Sequence, residues 1–219
     1  RLKLSYPLDS EKRFTLPAAA LLPNGTLRVV TIDRVVNTPE SITGTVADMM
    51  LRTFSADGRL LSETGIQSPY IGGSNDTIEF DADGGLVVCT APFEDYTVEQ
   101  ITRFDAENHV LYQKTLSAPK TIVNITNAFP SADGSVTLYG TAMANSRGLF
   151  TLYRLDLDAQ GNITALDIRD FTTRVGYLYD VQADAQGHVY AIACDYKKPI
   201  AVVPFEDLPV HDDPGLALQ

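Results

Sequence analysis

Basic residues are scarce in this sequence of 219 residues, which carries 17 Lys and Arg against 28 Asp and Glu, a net charge of −11. Because a phosphate-binding surface needs clustered Lys and Arg, this shortage argues against nucleic acid as a partner. It argues equally against binding to an anionic membrane surface. Long apolar runs are also missing. None approaches the roughly 18 residues of a membrane-spanning helix, so membrane insertion is not expected.

Cysteine is nearly absent, and the two that are present, Cys89 and Cys194, form no Cys-x-x-Cys motif or metal-ligand spacing. They end strands in two different units of the repeat described below. Strands that far apart rarely bring two Cα atoms within disulfide reach, which is about 7 Å. The sequence therefore predicts two buried free thiols.

What the sequence does contain is a repeat of two β-hairpins with turns rich in Asp, Asn and Gly. These residues suit hairpin turns because they tolerate positive φ. Successive turns of the first hairpin are 59, 50 and 53 residues apart, and those of the second are 50 and 53 apart. The turn residues are Gly25, Gly84, Gly134 and Gly187 in the first series, and Gly58, Asn108 and Gly161 in the second.

A period of this length, built from four short strands, is typical of a β-propeller blade. The predicted fold is therefore all-β, a propeller of about four four-stranded antiparallel blades. The propeller domain is expected to span residues 1–206, followed by an acidic, proline-containing tail at 207–219. The predicted blades lie near 15–66, 72–117, 121–170 and 172–206.

The fourth unit lacks a fourth strand, and residues 2–6 offer an unpaired strand candidate. Two alternatives stay open at this point. Residues 2–6 complete the fourth blade and close a four-bladed ring, which removes exposed sheet edges, or the chain is a segment of a larger propeller.

The blade pattern resembles that of NHL-type propellers most closely between Ile78 and Leu111. This stretch contains Phe-Asp-Ala-Asp-Gly at 80–84 and Ile-Thr-Arg-Phe-Asp at 101–105. The resemblance covers most of the chain, although NHL-type blades are usually shorter and come in sixes. Related propellers include lactonase-like hydrolases, peptide-processing lyases and protein- or RNA-binding scaffolds, so the resemblance implies a fold and not a reaction. The absence of Trp argues against WD40 and quinoprotein repeats.

Loop lengths indicate which face of the predicted disc binds a ligand. Within a blade, the turns between strands one and two and between strands three and four share one face. The turns on that face are short and uniform, whereas the loops on the other face are long and varied, which is typical of a binding face. Tyr and Arg often carry interface energy, and Tyr rings stack on sugars. The candidate ligand-binding residues on the long-loop face are Tyr70, Asn75, Asp76, Tyr96, Asn145, Arg147, Arg174, Tyr177, Tyr179 and Tyr196.

Acidic side chains on the same face are candidate oxygen ligands for Ca²⁺, chiefly Asp76, Asp95 and Asp195. The alternative is a set of solvated acidic loops with no metal and no cofactor. A metal-dependent enzyme would need three or four ligands pointing at one axis, drawn from Asn75, Asp76, Asp95, Asn145, Asp180 and Asp195.

The leading functional hypothesis is a non-enzymatic module that binds a protein, peptide or glycan partner on the long-loop face, because no catalytic constellation is recognisable. The first alternative is a metal-dependent lactonase-like hydrolase or lyase with its site at the mouth of the central channel. The second is a sensor or structural segment of a longer protein. Export to the cell envelope or beyond is expected from the missing initiator Met, the acidic charge and the two lone cysteines. A closed ring is expected to be monomeric.

Overall fold

The computed structural model describes residues 12–35, 47–66, 77–91, 97–118, 121–144, 149–170, 177–184, 186, 188–194, 201–211 and 216–219. These residues form sixteen β-strands and one short 3₁₀ turn, Phe205–Asp207. Four antiparallel sheets follow one another along the chain, and the strands of each hairpin pair in sequence order. Among the described residues, no helix has the length and apolar character needed to cross a membrane.

The first and second sheets each use four consecutive strands, and the second sheet gains a fifth from the far end of the chain. The strands of the first sheet are β1 (Lys12–Leu21), β2 (Leu27–Val35), β3 (Ala47–Phe54) and β4 (Leu60–Ile66). Those of the second sheet are β5 (Thr77–Phe80), β6 (Leu86–Thr90), β7 (Val98–Phe104), β8 (Val110–Ser117) and the added β16 (Ala217–Leu218).

The third sheet has four strands, and the fourth sheet has three within the described part of the chain. The strands of the third sheet are β9 (Thr121–Pro130), β10 (Val136–Ala144), β11 (Leu149–Leu157) and β12 (Ile163–Asp170). Those of the fourth sheet are β13 (Tyr177–Ala183), β14 (Val189–Cys194) and β15 (Ala201–Pro204).

The hairpin turns have the backbone conformation that their sequences predict. Asn108, at a φ of 73°, is the one described residue other than glycine with positive φ. The turn glycines Gly84 and Gly161 have φ values of 94° and 76°. The side chain of Asp81 closes its turn by accepting hydrogen bonds from the backbone N–H groups of Asp83 at 2.9 Å and Gly85 at 2.7 Å. Gly187 lies outside the described residues.

Apolar cores lie between consecutive sheets. Strand β6 is buried along its whole length, because its two faces pack against different neighbouring sheets. Val30 and Leu51 of the first sheet pack against Val88 of the second. The core between the second and third sheets includes Ile101 and Leu155, and a third core between the third and fourth sheets surrounds Phe205. The first strands also meet, since β5 contacts both β1 and β9, and β9 contacts β13.

The predicted all-β fold with four repeated antiparallel sheets is therefore confirmed. Tyr177 and Tyr179 were predicted to lie in the long loops, but Tyr177–Ala183 form β13, because bulky β-branched and aromatic residues favour a strand. Cys89 is buried and free, as predicted, whereas the side chain of Cys194 lies outside the described residues. Residues 2–6, on which ring closure was predicted to depend, also lie outside them.

Candidate functional site

Nearly all of the predicted site residues lie outside the part of the chain that the structure describes. Only the backbone of Tyr177 and Tyr179 is described, both in β13, and Asp180 is described in full. The predicted residues outside the described ranges are Tyr70, Asn75, Asp76, Asp95, Tyr96, Asn145, Arg147, Arg174, Asp195 and Tyr196.

Bulges recur in the first strands of three sheets, each close to eight residues before the turn glycine. In β9 the pairing with β10 skips Thr126, and in β13 the pairing with β14 skips Tyr179. In β1 the register shifts between Thr15 and Ala18. Because a bulge bends a strand and re-aims the next side chain, it sets the direction of the residue that follows it. In β9 and β13 those residues are Asn127 and Asp180.

Asp180 is held by three donors. Its Oδ1 atom accepts hydrogen bonds from Asn127 Nδ2 at 2.8 Å and from the backbone N–H of Val181 at 2.8 Å. Its Oδ2 atom accepts a hydrogen bond from Gln182 Nε2 at 2.7 Å. The same Val181 N–H also donates a hydrogen bond to Asn127 Oδ1 at 2.9 Å. Asp180 is therefore fixed in orientation across the junction of the third and fourth sheets.

Glu79 supplies a second carboxylate from β5. Partial loss of hydration raises the pKa of Glu79 above its ordinary value of 4.5, and the negative charge of Asp180 raises this pKa further. Within the described ranges, no hydrogen bond or ion pair engages the Glu79 side chain. One carboxylate of the pair is thus held rigidly, and the other is available to a ligand.

We call Glu79, Asn127, Asp180 and Gln182 the inner-strand cluster, because they lie on the first strands of the second, third and fourth sheets. The cluster presents carboxylate oxygens beside amide groups and carries two formal negative charges. Such groups accept hydrogen bonds from hydroxyls and ammonium groups, and their oxygens also suit Ca²⁺. No group of three His, Cys, Asp or Glu side chains able to hold a metal occurs among the described residues, so a metal here would need amide oxygen as well.

Two other buried polar sites have structural roles. Arg103 pairs with Asp81 and donates hydrogen bonds to the carbonyls of Phe104 and Ser131, both at 2.9 Å, which joins the second and third sheets. Arg28 joins the first and second sheets in the same way, by donating to the carbonyls of Gly84 and Ala106. Burial lowers the pKa of Arg28. These guanidinium groups are engaged within the protein and are not ligand sites.

The buried Glu99 carboxylate and the Thr77 hydroxyl have a comparable role at the edge of β9. Both oxygens of Glu99 accept the Ile125 N–H at 2.9 Å, and Thr77 Oγ1 donates to the Ile125 carbonyl at 2.8 Å. Side chains from the second sheet thereby satisfy main-chain groups at the free edge of the third sheet, where unpaired groups would be costly.

Sequence reasoning included Asp180 among the candidate ligands but missed its neighbours. The signal that would have found them lies in the repeat itself. Asn127 and Asp180 each stand seven residues before the turn glycine of their hairpin, and Glu79 and Gln182 each stand five residues before theirs. Polar residues at corresponding positions of first strands share one face, because strand side chains alternate.

Comparison with known proteins assigns no family. No family model matches the chain, and no curated protein matches it. Among solved structures, it is similar to a protein of unknown function from Bacteroides caccae, with a TM-score of 0.49 and 10% identity over 89% of this chain and 61% of that one. It is also similar to the endo-arabinase from Bacteroides thetaiotaomicron VPI-5482, with a TM-score of 0.42 and 12% identity over 90% and 75% of the two chains. The chain thus spans less than two thirds of the first structure's length, and neither likeness assigns an activity.

Proposed function

We propose that this chain is a non-enzymatic β-propeller recognition module and that the inner-strand cluster binds a glycan. In this proposal the four sheets are blades around a common axis, and residues 2–6 supply the missing strand of the fourth blade. The order of the strands fits NHL-type blades and other propeller blades equally. We also propose that long-loop residues predicted from the sequence contribute further contacts with the ligand.

The observation that carries the proposal is the hydrogen bond from Asn127 of the third sheet to Asp180 of the fourth. Glu79 of the second sheet is near enough for the charge of Asp180 to raise its pKa. Asp180 is held by Asn127 and Gln182, so little side-chain entropy is lost when a ligand binds to it. The Glu79 side chain is exposed and has acceptor capacity to spare. A fixed acceptor beside an available one suits neighbouring hydroxyls of a sugar, each of which donates one hydrogen bond.

A glycan array followed by calorimetric titration of the best oligosaccharide tests this function. Glu79→Gln keeps the shape of the side chain but removes its charge and half of its acceptor capacity. We expect it to weaken glycan binding by about tenfold, because a hydrogen bond to a charged group contributes about 1.5–3 kcal/mol. Glu107→Gln is the matched control, since Glu107 is exposed in the β7–β8 turn and away from the cluster.

A glycan partner, a peptide partner and a binding site elsewhere on the chain give different results in these experiments. If the array gives no ligand but a cationic peptide binds and loses affinity with Glu79→Gln, the partner is a peptide and the glycan assignment is wrong. If Glu79→Gln and Glu107→Gln bind the oligosaccharide equally, the site is not the inner-strand cluster.

A second candidate function uses the same residues. Glu79, Asn127 and Asp180 offer side-chain oxygens of the kind that Ca²⁺ prefers, which favours a metal-dependent hydrolase or lyase. Thermal melts in EDTA and then with added Ca²⁺ separate the two, since a metal that binds the folded state alone stabilises it by about 2.7 kcal/mol at a hundredfold excess over its Kd. A midpoint rise of roughly 5 °C that Glu79→Gln abolishes would favour the enzyme.

The proposed closure of the ring has its own test. A closed ring leaves only short, protected outer strand edges, so the purified chain should be a monomer by light scattering after size-exclusion chromatography. A concentration-dependent assembly would favour the segment of a larger propeller and the sensor or structural function that goes with it. We also propose that the chain is exported to the cell envelope or beyond, which fractionation of the producing cell tests.

A further inference from the structure

Residues 209–211 and 216–219 pair with the outer edges of two sheets to which they are not adjacent in sequence. Near β12, the Asp170 N–H donates to the Pro209 carbonyl at 2.8 Å, and the His211 N–H donates to the Ile168 carbonyl at 2.9 Å. Farther along, β16 runs antiparallel to β8, with Ala217 opposite Ser117 and Leu218 opposite Leu116. The sequence predicted only an acidic tail for this segment.

The pairing at β8 ends in a reciprocal pair of main-chain hydrogen bonds. The Thr115 N–H donates to the Gln219 carbonyl at 2.8 Å, and the Gln219 N–H donates to the Thr115 carbonyl at 2.9 Å. Without residues 216–219, the outer edge of β8 would present these groups to solvent as an unpaired strand edge.

The side chains of residues 216–219 alternate between half-buried and exposed positions. Leu216 and Leu218 are half-buried and pack, with Leu166 of β12, against the core between the second and third sheets. Ala217 and Gln219 alternate with them and are exposed. We call the outer edge of β8, together with the apolar strip at Leu166, the β8 groove.

We propose that the β8 groove is a strand-addition site for an extended peptide with leucines two residues apart, and that residues 216–219 are its resident ligand. In this mode of recognition, main-chain hydrogen bonds supply affinity, and contacts with alternate side chains supply selectivity. The resident segment has both features, which identifies the chemistry of the partner as an extended Leu-x-Leu segment. The pairing is short, with two strand residues in β16, and a segment from another polypeptide has to compete with this tethered segment.

The test uses the full chain in two variants that introduce the same charge at adjacent positions. Leu218→Asp places a carboxylate on the half-buried side of β16 and should release the resident segment. Ala217→Asp places it on the exposed side and should leave the segment bound. A fluorescein-labelled peptide corresponding to residues 214–219 is then titrated into each variant and followed by anisotropy.

We expect the peptide to bind the Leu218→Asp chain at least about tenfold more tightly than the Ala217→Asp chain, because a tethered segment competes at an effective concentration near millimolar. A peptide carrying Leu218→Asp should not bind either chain. Equal affinities for the two chains, or equal binding of the two peptides, would overturn the proposal.

Circular dichroism checks that both chains are folded. If the Leu218→Asp chain is not, a Leu216→Ser/Leu218→Ser chain replaces it, since serine removes the apolar contact without burying a charge. A folded chain of either kind that fails to bind the parent peptide also overturns the proposal. Binding of glycan at the inner-strand cluster is unaffected in every case, so the two proposals fail independently.

Discussion

Asn127 and Asp180, on the first strands of neighbouring sheets, are joined by a 2.8 Å hydrogen bond from Asn127 Nδ2 to Asp180 Oδ1. The same Asn127 side chain accepts the Val181 N–H at 2.9 Å, so one amide orients a carboxylate and also satisfies an edge group of β13. The orientation of Asp180 and the junction of the two sheets therefore depend on one side chain.

Replacing Asn127 should show this double role. Asn127→Ala removes a donor to Asp180 and the acceptor for Val181, so we expect a loss of about 1–3 kcal/mol in the free energy of unfolding. Urea denaturation measures it. Asn162→Ala is the control, because Asn162 donates to Asp158 within an exposed turn and its loss should have an effect within about 0.5 kcal/mol. Equal losses for the two variants would contradict the assigned role.

Because Arg103 and Asp81 form a buried ion pair, we expect their contributions to the free energy of unfolding to depend strongly on each other. Their side chains are 1% and 4% exposed, so Arg103→Met leaves a buried carboxylate without its cation. We expect a loss of about 3–5 kcal/mol in unfolding free energy, with part of it recovered in Arg103→Met/Asp81→Asn. A double-mutant cycle in urea measures the coupling. Strictly additive losses would mean that the pair does not act as a unit.

Replacement by alanine should destabilise the protein strongly at one strand glycine and only slightly at another. A Cβ atom at Gly140 would collide with the backbone carbonyl of Asn124 and the Tyr153 side chain, in the core between the second and third sheets. At Gly65 the nearest atom to a new Cβ is Met50 Sδ at 3.9 Å, which is ordinary contact. We expect Gly140→Ala to destabilise the protein by more than about 2 kcal/mol and Gly65→Ala to change stability by less than about 1 kcal/mol. Thermal melts of both variants compare them directly, and similar midpoints would refute the described packing.

The raised pKa of Glu79 predicts a dependence of stability on pH. Because the folded state holds this proton more tightly than the unfolded chain does, the stabilising contribution is complete below the ordinary pKa of 4.5 and is lost as the pH rises through the folded-state pKa. Glu79→Gln should therefore raise the melting temperature relative to the parent at pH 7 but not at pH 4. A constant difference at both pH values would contradict the environment assigned to Glu79.

The sequence predicted the strands and turns because these depend on local chemistry. Turn residues such as Gly84 and Asn108 are marked by their neighbours, and the pairing of strands within a sheet follows from short connections. In the second sheet the predicted turn at Gly84 joins β5 to β6.

The site could be predicted only in part, because it depends on how separate sheets meet. Asp180 was a candidate, but its partner Asn127 lies 53 residues away, and no local pattern joins the two. The pairing of β16 with β8 joins residues still farther apart, and a two-residue strand of Ala and Leu gives no periodic signal. Aligning the units on their turn glycines recovers the positions of the cluster but not its contacts.

The most direct test of the proposed function is a ¹H–¹⁵N correlation spectrum of the labelled chain, recorded while an oligosaccharide selected on the array is added. The side-chain amide groups of Asn127 and Gln182 lie in the cluster, and that of Asn162 lies in a distant turn. We expect saturable shifts of the Asn127 and Gln182 amide signals, with the Asn162 signal unmoved. Saturable binding that leaves the Asn127 and Gln182 signals in place would contradict it.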